Sequence, residues 1–131
     1  MRTTKCLLMA ALLGVSAMGA GCVVAALGAG AAAGVGTYAF IKGELDTVEE
    51  VSLDRGWEAT NDAVKDFEFT IKESAKDSMK AKLLVLEADK TEIRISLTAD
   101  GEKRTKFGIR VGVFGDEAKS RLILEKIRKH Y

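Results

Sequence analysis

The 131-residue sequence has few of the residues that most often carry chemistry. It contains two cysteines and one histidine, and they do not form the Cys/His cluster of a zinc site. The histidine, His130, is next to last in the chain, where a solvated helix end is the simplest interpretation. Acidic residues are numerous, but no pair stands in a pattern that would raise the pKa of one partner. We therefore predict no catalytic residue, no enzymatic activity, no metal and no cofactor.

Charged residues are also missing from one long stretch, because none occurs between Lys5 and Lys42. Residues 6–18 form an apolar run of the length found in secretory signals, and small residues follow at 19–21. We therefore predict a signal peptide over residues 1–21. Its removal takes away Arg2 and Lys5 and leaves 18 basic and 19 acidic residues, a net charge of −1. Nothing in that balance indicates a nucleic-acid partner, which would require a clustered basic surface.

The run Met18-Gly19-Ala20-Gly21-Cys22 resembles a lipobox, the recognition site of the bacterial lipoprotein-processing enzymes. The resemblance implies that the Cys22 thiol receives diacylglycerol, that the preceding peptide bond is cleaved, and that the new amino terminus is acylated. Gly19 departs from the pattern, in which Leu is commonest. Several acyl chains anchor a protein firmly to a membrane. Val23 replaces the Asp that usually favours inner-membrane retention, so the resemblance implies the periplasmic face of the outer membrane.

The next segment, residues 22–41, consists of Cys22 and 19 uncharged and mostly apolar residues, 23–41. Its small residues recur every four positions, as in a glycine zipper, in two series: Ala26, Gly30 and Gly34, and Gly28, Ala32 and Gly36. Three interpretations remain open: a membrane-inserted or membrane-lying segment that packs on itself, an apolar tether along the lipid surface, or a segment that packs on a partner or on the domain. Tyr38 and Phe40, followed by Lys42, fit residues found where a chain leaves a membrane.

Residues 42–131 mix charged and apolar residues, as a folded periplasmic domain does. Two helices are predicted from apolar stripes at helical spacing. Ser52 is expected to cap the first, whose stripe is Leu53, Trp57, Thr60, Val64 and Phe67, and Asp116 to cap the last, residues 117–129. Gly56 weakens the first helix by about 1 kcal/mol relative to Ala, and we expect packing through Trp57 to hold it.

Alternating apolar residues predict the strands around these helices. The inner faces are expected to be Leu45, Thr47, Glu49 and Val51; Phe67, Phe69 and Ile71; Met79, Ala81, Leu83 and Val85; Ile93, Ile95, Leu97 and Ala99; Phe107, Ile109, Val111 and Val113. Asp100-Gly101 indicates a hairpin turn. The predicted order β-α-β-β-β-β-α gives a two-layer α+β domain, with an antiparallel sheet of about five strands and two helices on one face. That order is similar to the TBP-like or helix-grip arrangement.

Residues 53–71 and 109–127 resemble the bacterial lipoproteins grouped as DUF3568. The most specific part is Phe114-Gly115-Asp116-Glu117, followed one turn later by Ser120-Arg121. The resemblance implies a lipoprotein of this topology and no assigned activity. A looser topological similarity connects the domain to the repeated periplasmic domains of the outer-membrane assembly lipoprotein BamC.

Two classes of function remain open. The first is a non-catalytic interaction module that binds an envelope protein, or itself through the glycine-rich segment. The second is a carrier or sensor that holds an apolar small ligand between the sheet and the last helix. Asp116 and Arg121 are weak candidates for a ligand or partner site, because a helix start can hold an anion. A cap at Asp116 and a carboxylate partner for Arg121 are the simpler interpretation. A packed core around Trp57, Ile109 and Ile127 would argue against the carrier.

Overall fold

The computed structural model of the chain describes residues 38–131. Their elements follow the order β-β-α-β-β-β-β-α. The bounds are β1 Ala39–Ile41, β2 Glu44–Glu49, α1 Leu53–Asp66, β3 Thr70–Lys76, β4 Lys80–Leu86, β5 Glu92–Ala99, β6 Thr105–Val111 and α2 Glu117–Arg128. The prediction of a two-layer α+β domain is confirmed, and the sheet has six strands. The additional strand, β1, lies in the segment 22–41 that we grouped with the glycine-rich stretch.

The six strands form one open antiparallel sheet in the order β1-β2-β6-β5-β4-β3. After β2 the chain crosses through α1 to the far edge at β3 and returns strand by strand, so that β6 pairs with β2. From β3 to β6, each strand pairs with the strand that follows it in sequence. Both helices pack on the same face, and the other face is open to solvent, as the one-sided alternation predicted.

The core lies between the helices and the inner face of the sheet. Its fully buried members come from every inner strand and both helices, and include Leu45, Leu83, Ile95, Phe107, Ile109, Val64 and Ile127. The predicted inner faces of β2, β4, β5 and β6 are therefore confirmed within those strands. Tyr38 and Phe40, both partly buried, pack against this core from the edge of the sheet.

Both predicted helix caps are present. The Ser52 hydroxyl accepts a hydrogen bond from the Arg55 amide at 3.3 Å, and the Asp116 carboxylate accepts one from the Lys119 amide at 3.0 Å. These bonds satisfy amides that a helix start otherwise leaves without a partner.

Gly56 corrects one expectation. It is buried, whereas Trp57 beside it is only partly buried. A Cβ atom at residue 56 would lie 2.9 Å from the Cζ of Phe107. The glycine therefore lets α1 approach the sheet closely enough for the Phe107 ring to touch it. Packing through Phe107, rather than through Trp57 alone, offsets the poor helix propensity of glycine.

The predicted strand over Phe67, Phe69 and Ile71 is wrong at its start. Phe67 ends α1 with helical backbone angles, and β3 begins only at Thr70. Glu68 between them has a left-handed φ of 58°, which reverses the chain. All of β3, the edge strand of the sheet, is exposed, including Ile71.

Two loops also differ from the predictions. Asp100-Gly101 starts a five-residue connection in which the Asp100 amide bonds to the Arg104 carbonyl at 2.9 Å, so the hairpin is confirmed without a two-residue turn. Val113 was expected inside the last strand, but β6 ends at Val111 and Val113 is 79% exposed. Gly112 with φ 71° and Gly115 with φ 82° turn the chain here.

Candidate functional site

An apolar cleft lies beside α2, at the end of the sheet where β4 finishes. Its volume is about 390 Å³. Aromatic and aliphatic side chains dominate its walls, and a few charged ones stand at its rim; the lining residues are Phe67, Glu68, Phe69, Glu87, Ala88, Ile93, Lys119, Leu122 and Ile123. Leu122, on α2, is 59% exposed. An apolar concavity with few polar groups is the usual form of a binding site.

The turn between α1 and β3 builds the aromatic wall of the cleft. Since Glu68 takes the left-handed conformation, Phe67 and Phe69 stand side by side. Their rings stack with centroids 4.9 Å apart and planes 10° apart. The Lys126 ammonium lies 5.6 Å from the centre of the Phe67 ring, in the range of a cation–π contact. The two rings are therefore held in place before anything binds.

Charged groups bound the cleft on the α2 side. The Lys119 ammonium donates to the Glu87 carboxylate at 2.8 Å, joining α2 to the end of β4. This hydrogen bond raises the pKa of Lys119, so the ammonium is charged at any physiological pH. The rim thus offers one fixed ion pair next to an apolar floor.

The core beneath α2 is filled. Ile109 and Ile127 have no exposed surface, and Leu124 has 1%. Trp57, partly buried, packs against this core cluster. The expected cavity between the sheet and the last helix is thus reduced to the open cleft at the edge of that helix.

The two weak candidates, Asp116 and Arg121, are not brought together into a shared site. Asp116 caps α2 as described. The Arg121 guanidinium lies 5.5 Å from the centre of the Tyr38 ring, so an aromatic face takes the place of the carboxylate we expected. The Tyr38 hydroxyl donates to the Glu117 carboxylate at 2.9 Å, and burial together with this bond raises the pKa of Tyr38. These contacts attach the start of β1 to the first turns of α2.

A buried polar cluster around Glu49 was missed by sequence reasoning. Glu49 is 4% exposed. Arg128 Nε lies 3.1 Å from its Oε2, and Arg128 Nη2 lies 2.6 Å from its Oε1. The Tyr131 hydroxyl donates to Oε2 at 2.7 Å, and the Thr47 hydroxyl donates to Oε1 at 2.8 Å. One signal of this cluster was present in the sequence, because Glu49 lies on an apolar strand face. A carboxylate buried there requires hydrogen-bond or ion-pair partners.

The electrostatics of this cluster favour the ionised state. Burial acts to raise the pKa of Glu49, but hydrogen bonds from Arg128, Tyr131 and Thr47 outweigh it, and the net pKa is lowered. Its hydrogen bond to Glu49 raises the pKa of Arg128 in turn. Burial and the bond to Glu49 raise the pKa of Tyr131 strongly. The cluster fastens the carboxyl end of α2 to β2, and we assign it a structural role.

Other predicted site residues lie outside the described part of the chain, namely Cys22, Gly28, Gly30, Gly34 and Gly36. Within residues 38–131, no group of three or more His, Cys, Asp or Glu side chains is placed to hold a metal ion. Neither α1 nor α2, the helices of this same range, has the length and hydrophobicity needed to cross a membrane.

Comparison with known proteins gives a family and no assigned activity. No curated protein matches the sequence. The family model described as "Protein of unknown function (DUF3568)" matches residues 5–130, which is nearly the whole chain and includes the caps, the cleft and the Glu49 cluster except Tyr131. The chain belongs to the DUF3568 family.

Proposed function

We propose that this protein is a lipid-anchored component of the bacterial envelope whose domain acts as a non-catalytic interaction module. In this proposal residues 1–21 are removed, Cys22 carries the lipid, and the domain lies on the periplasmic side of the outer membrane. The cleft beside α2 receives an apolar segment of an envelope protein. The lipobox-like run at Met18–Cys22 supports the address, and the geometry of the cleft supports the mode of action.

The single observation that carries the binding role is an open apolar cleft next to a filled core. Its stacked Phe67 and Phe69 rings are fixed before binding, so little entropy is lost when a partner's side chain enters. Leu122 adds exposed apolar surface on the opposite wall. The Lys119–Glu87 ion pair at the edge resembles the polar rim that surrounds an apolar interface centre. About 390 Å³ has room for one or two large side chains.

Crosslinking in the host tests this assignment. A photoreactive amino acid replaces Leu122 in the full chain, and a matched variant carries it at Met79, an apolar residue 56% exposed in the turn between β3 and β4. We expect a discrete crosslinked envelope protein from position 122 and none from position 79. Phe69→Ala should weaken the crosslink from position 122, because it removes half of the aromatic wall. The absence of any crosslink at position 122 in intact cells would contradict the proposal.

A second candidate is favoured by the size of the same cleft. A volume of about 390 Å³ falls within the range of small-molecule sites, roughly 300–1,000 Å³, and Ile93 and Ile123 extend the apolar floor toward the core. A carrier or sensor of apolar small ligands would use it without a protein partner. Native mass spectrometry of protein taken gently from its host distinguishes the two. A bound small molecule that Leu122→Trp displaces supports the carrier, and an empty cleft with a protein crosslink supports the module.

The anchor and the glycine-rich segment need their own measurements. The intact mass of the membrane-purified protein should correspond to a chain starting at Cys22 with diacylglyceryl and acyl additions, and Cys22→Ala should lose them. An unmodified mature chain would remove the anchor from the proposal. If the segment self-associates, Gly30→Leu with Gly34→Leu should abolish detergent-resistant oligomers. Oligomers of unchanged size would assign the segment another role.

A further inference from the structure

The two most exposed large apolar side chains of the described domain lie in one turn, and a third exposed one lies next to a second turn that touches it. Phe114 is 91% exposed and Val113 is 79% exposed, in the turn between β6 and α2. Ile41, 58% exposed, ends β1 just before the turn at Lys42-Gly43. We call Ile41, Val113 and Phe114 the apolar tip. Scattered apolar residues on a surface are ordinary. A phenylalanine that is almost fully exposed, with two further exposed aliphatic residues on adjoining turns, instead indicates an interaction surface.

The apolar tip is held rigidly. Arg110 reaches from β6 to both turns: its Nη1 donates to the Lys42 carbonyl at 3.1 Å, and its Nη2 donates to the Val113 carbonyl at 2.6 Å. Gly43 and Gly115 both have positive φ, and their backbones meet so closely that a Cβ atom on either would collide with the other turn. The turns therefore present their apolar side chains outward on a fixed backbone, and rotation of the turn cannot bury them.

The amino-terminal part of the chain joins the domain at the same end. Tyr38 is bonded to Glu117 in the first turn of α2, directly after the turn that carries Phe114. From Tyr38, β1 runs only three residues before it reaches Ile41. At about 3.3 Å per residue, the entry point is thus about 10 Å from the apolar tip. A lipid on Cys22 would hold this end of the domain toward the membrane. The orientation of the domain inferred below therefore rests on the lipid anchor proposed above.

Charges near the apolar tip fit a phospholipid surface. Lys42 and Lys90 are exposed and form no ion pair within residues 38–131. Lys90 borders a groove shared with Val113. Carboxylates lie nearby as well: Asp116 caps α2, Asp89 accepts from the Thr91 amide at 2.9 Å, and Glu92 lines the same groove as Lys90. Free ammonium groups around exposed apolar residues are the combination that binds anionic lipid headgroups and the acyl boundary together.

We infer that the apolar tip inserts into the lipid surface to which the chain is anchored, so that the domain lies on the membrane in one fixed orientation. Val113 and Phe114 enter the acyl boundary, Ile41 lies at the headgroup level, and Lys42 and Lys90 contact lipid phosphates. The cleft beside α2 belongs to the β4 side of the same end, so a partner would meet it close to the bilayer. The β5–β6 loop and the β3–β4 turn point away from the membrane.

Depth-dependent quenching on the full, membrane-purified chain tests this inference. Cys22 is modified in the lipidated protein and Cys6 belongs to the removed leader, so one new cysteine can be labelled alone. A polarity-sensitive fluorophore is placed at Phe114→Cys and, as the matched control, at Glu102→Cys in the exposed β5–β6 loop. The chain is reconstituted into vesicles of phosphatidylethanolamine and phosphatidylglycerol carrying a nitroxide on the acyl chain. We expect strong quenching and a blue-shifted emission at position 114 and neither at position 102.

A second pair of variants separates insertion from chance proximity. With the fluorophore at Val113→Cys, adding Phe114→Ser should reduce the ratio of quenched to unquenched label about tenfold, since burial of a phenylalanine ring is lost. Adding Met79→Ser instead should leave the ratio unchanged. All three side chains are exposed, so none of these changes removes a core contact.

The outcomes decide the inference and the anchor separately, because the intact mass of the same sample reports lipidation. A lipidated chain with equal quenching at positions 114 and 102 overturns the insertion and leaves the anchor standing. If the chain is unlipidated, the labelling is repeated with Cys22→Ser so that only position 114 carries the fluorophore, and quenching that persists there overturns the anchor and supports the insertion. The apolar tip could also be shielded from aqueous iodide only when envelope extract is added, and never be quenched by the lipid nitroxide. That result would mean that a protein covers the apolar tip, and it would overturn the inference as well.

Discussion

Removing Arg128 tests the buried cluster around Glu49 most directly. Glu49 is 4% exposed in the wild type, and in Arg128→Leu its carboxylate loses its bidentate cation and retains only the hydroxyls of Tyr131 and Thr47. Removal of one member of a buried ion pair costs about 3–5 kcal/mol. Because the Arg128 side chain is itself 19% exposed, water can partly replace it. We therefore expect a loss of about 3 kcal/mol in the free energy of unfolding.

Urea unfolding followed by the fluorescence of Trp57 measures this loss. Trp57 is the only tryptophan and is partly buried against the core, so its emission should report global unfolding. The double variant Glu49→Leu with Arg128→Leu should recover about half of the loss, since no buried charge remains but the two hydroxyls lose their acceptor. A loss below about 1 kcal/mol in Arg128→Leu would refute the reasoning that the pair is buried and matched.

The same variant has a predictable dependence on pH. In the wild type the pKa of Glu49 is lowered by its hydrogen bonds. Its contribution to stability is therefore complete above the unfolded-state pKa and is lost as the pH falls through the lowered folded-state pKa. In Arg128→Leu burial acts without the cation, and we expect that pKa to rise. The stability difference between the two proteins should be largest near neutrality and should shrink in acid; a difference that grows in acid would contradict this assignment.

Three further changes test local packing. Gly56→Ala should lower the free energy of unfolding by about 1 kcal/mol in spite of the better helix propensity of alanine, because its Cβ would press on the Phe107 ring at 2.9 Å; a stabilised variant would show that the ring moves aside. Gly115→Ala should cost about 2 kcal/mol or more, since φ is 82° and the Cβ would strike the backbone of Gly43, and an unchanged thermal midpoint would argue against the contact. Asp116→Ala should cost about 1 kcal/mol and speed amide exchange in the first turn of α2, whereas Asp116→Asn should keep most of the cap; equal exchange in both variants would contradict the capping role.

Local order in the domain was largely readable from the sequence. Alternation at Leu83 and Val85, or at Ile93 and Ile95, identifies inner strand faces, because side chains of a strand point alternately to its two sides. The caps at Ser52 and Asp116 were readable for the same kind of reason, since a polar side chain at a helix start bonds an amide within three residues of itself.

The candidate sites were less accessible to sequence reasoning. Phe67 and Phe69 alternate like strand residues, yet the left-handed backbone of Glu68 turns them into one wall of a cleft whose opposite wall lies on α2. Val113 continues the alternation of β6, yet Gly112 ends the strand before it. In both cases a backbone reversal interrupts the alternation that predicted a strand. The function of these side chains then depends on which residues of other elements face them.

The sequence by itself determined the α+β class, the helix caps and the inner faces of the central strands, since each depends on residues within a few positions of one another. Only the tertiary structure decided that β6 pairs with β2, that Glu49 meets Arg128 and Tyr131 from 79 and 82 positions away, and that the backbones of Gly43 and Gly115 meet. These contacts join distant segments, and their partners are chosen by the packing of the whole sheet and its helices, which no local pattern of residues encodes.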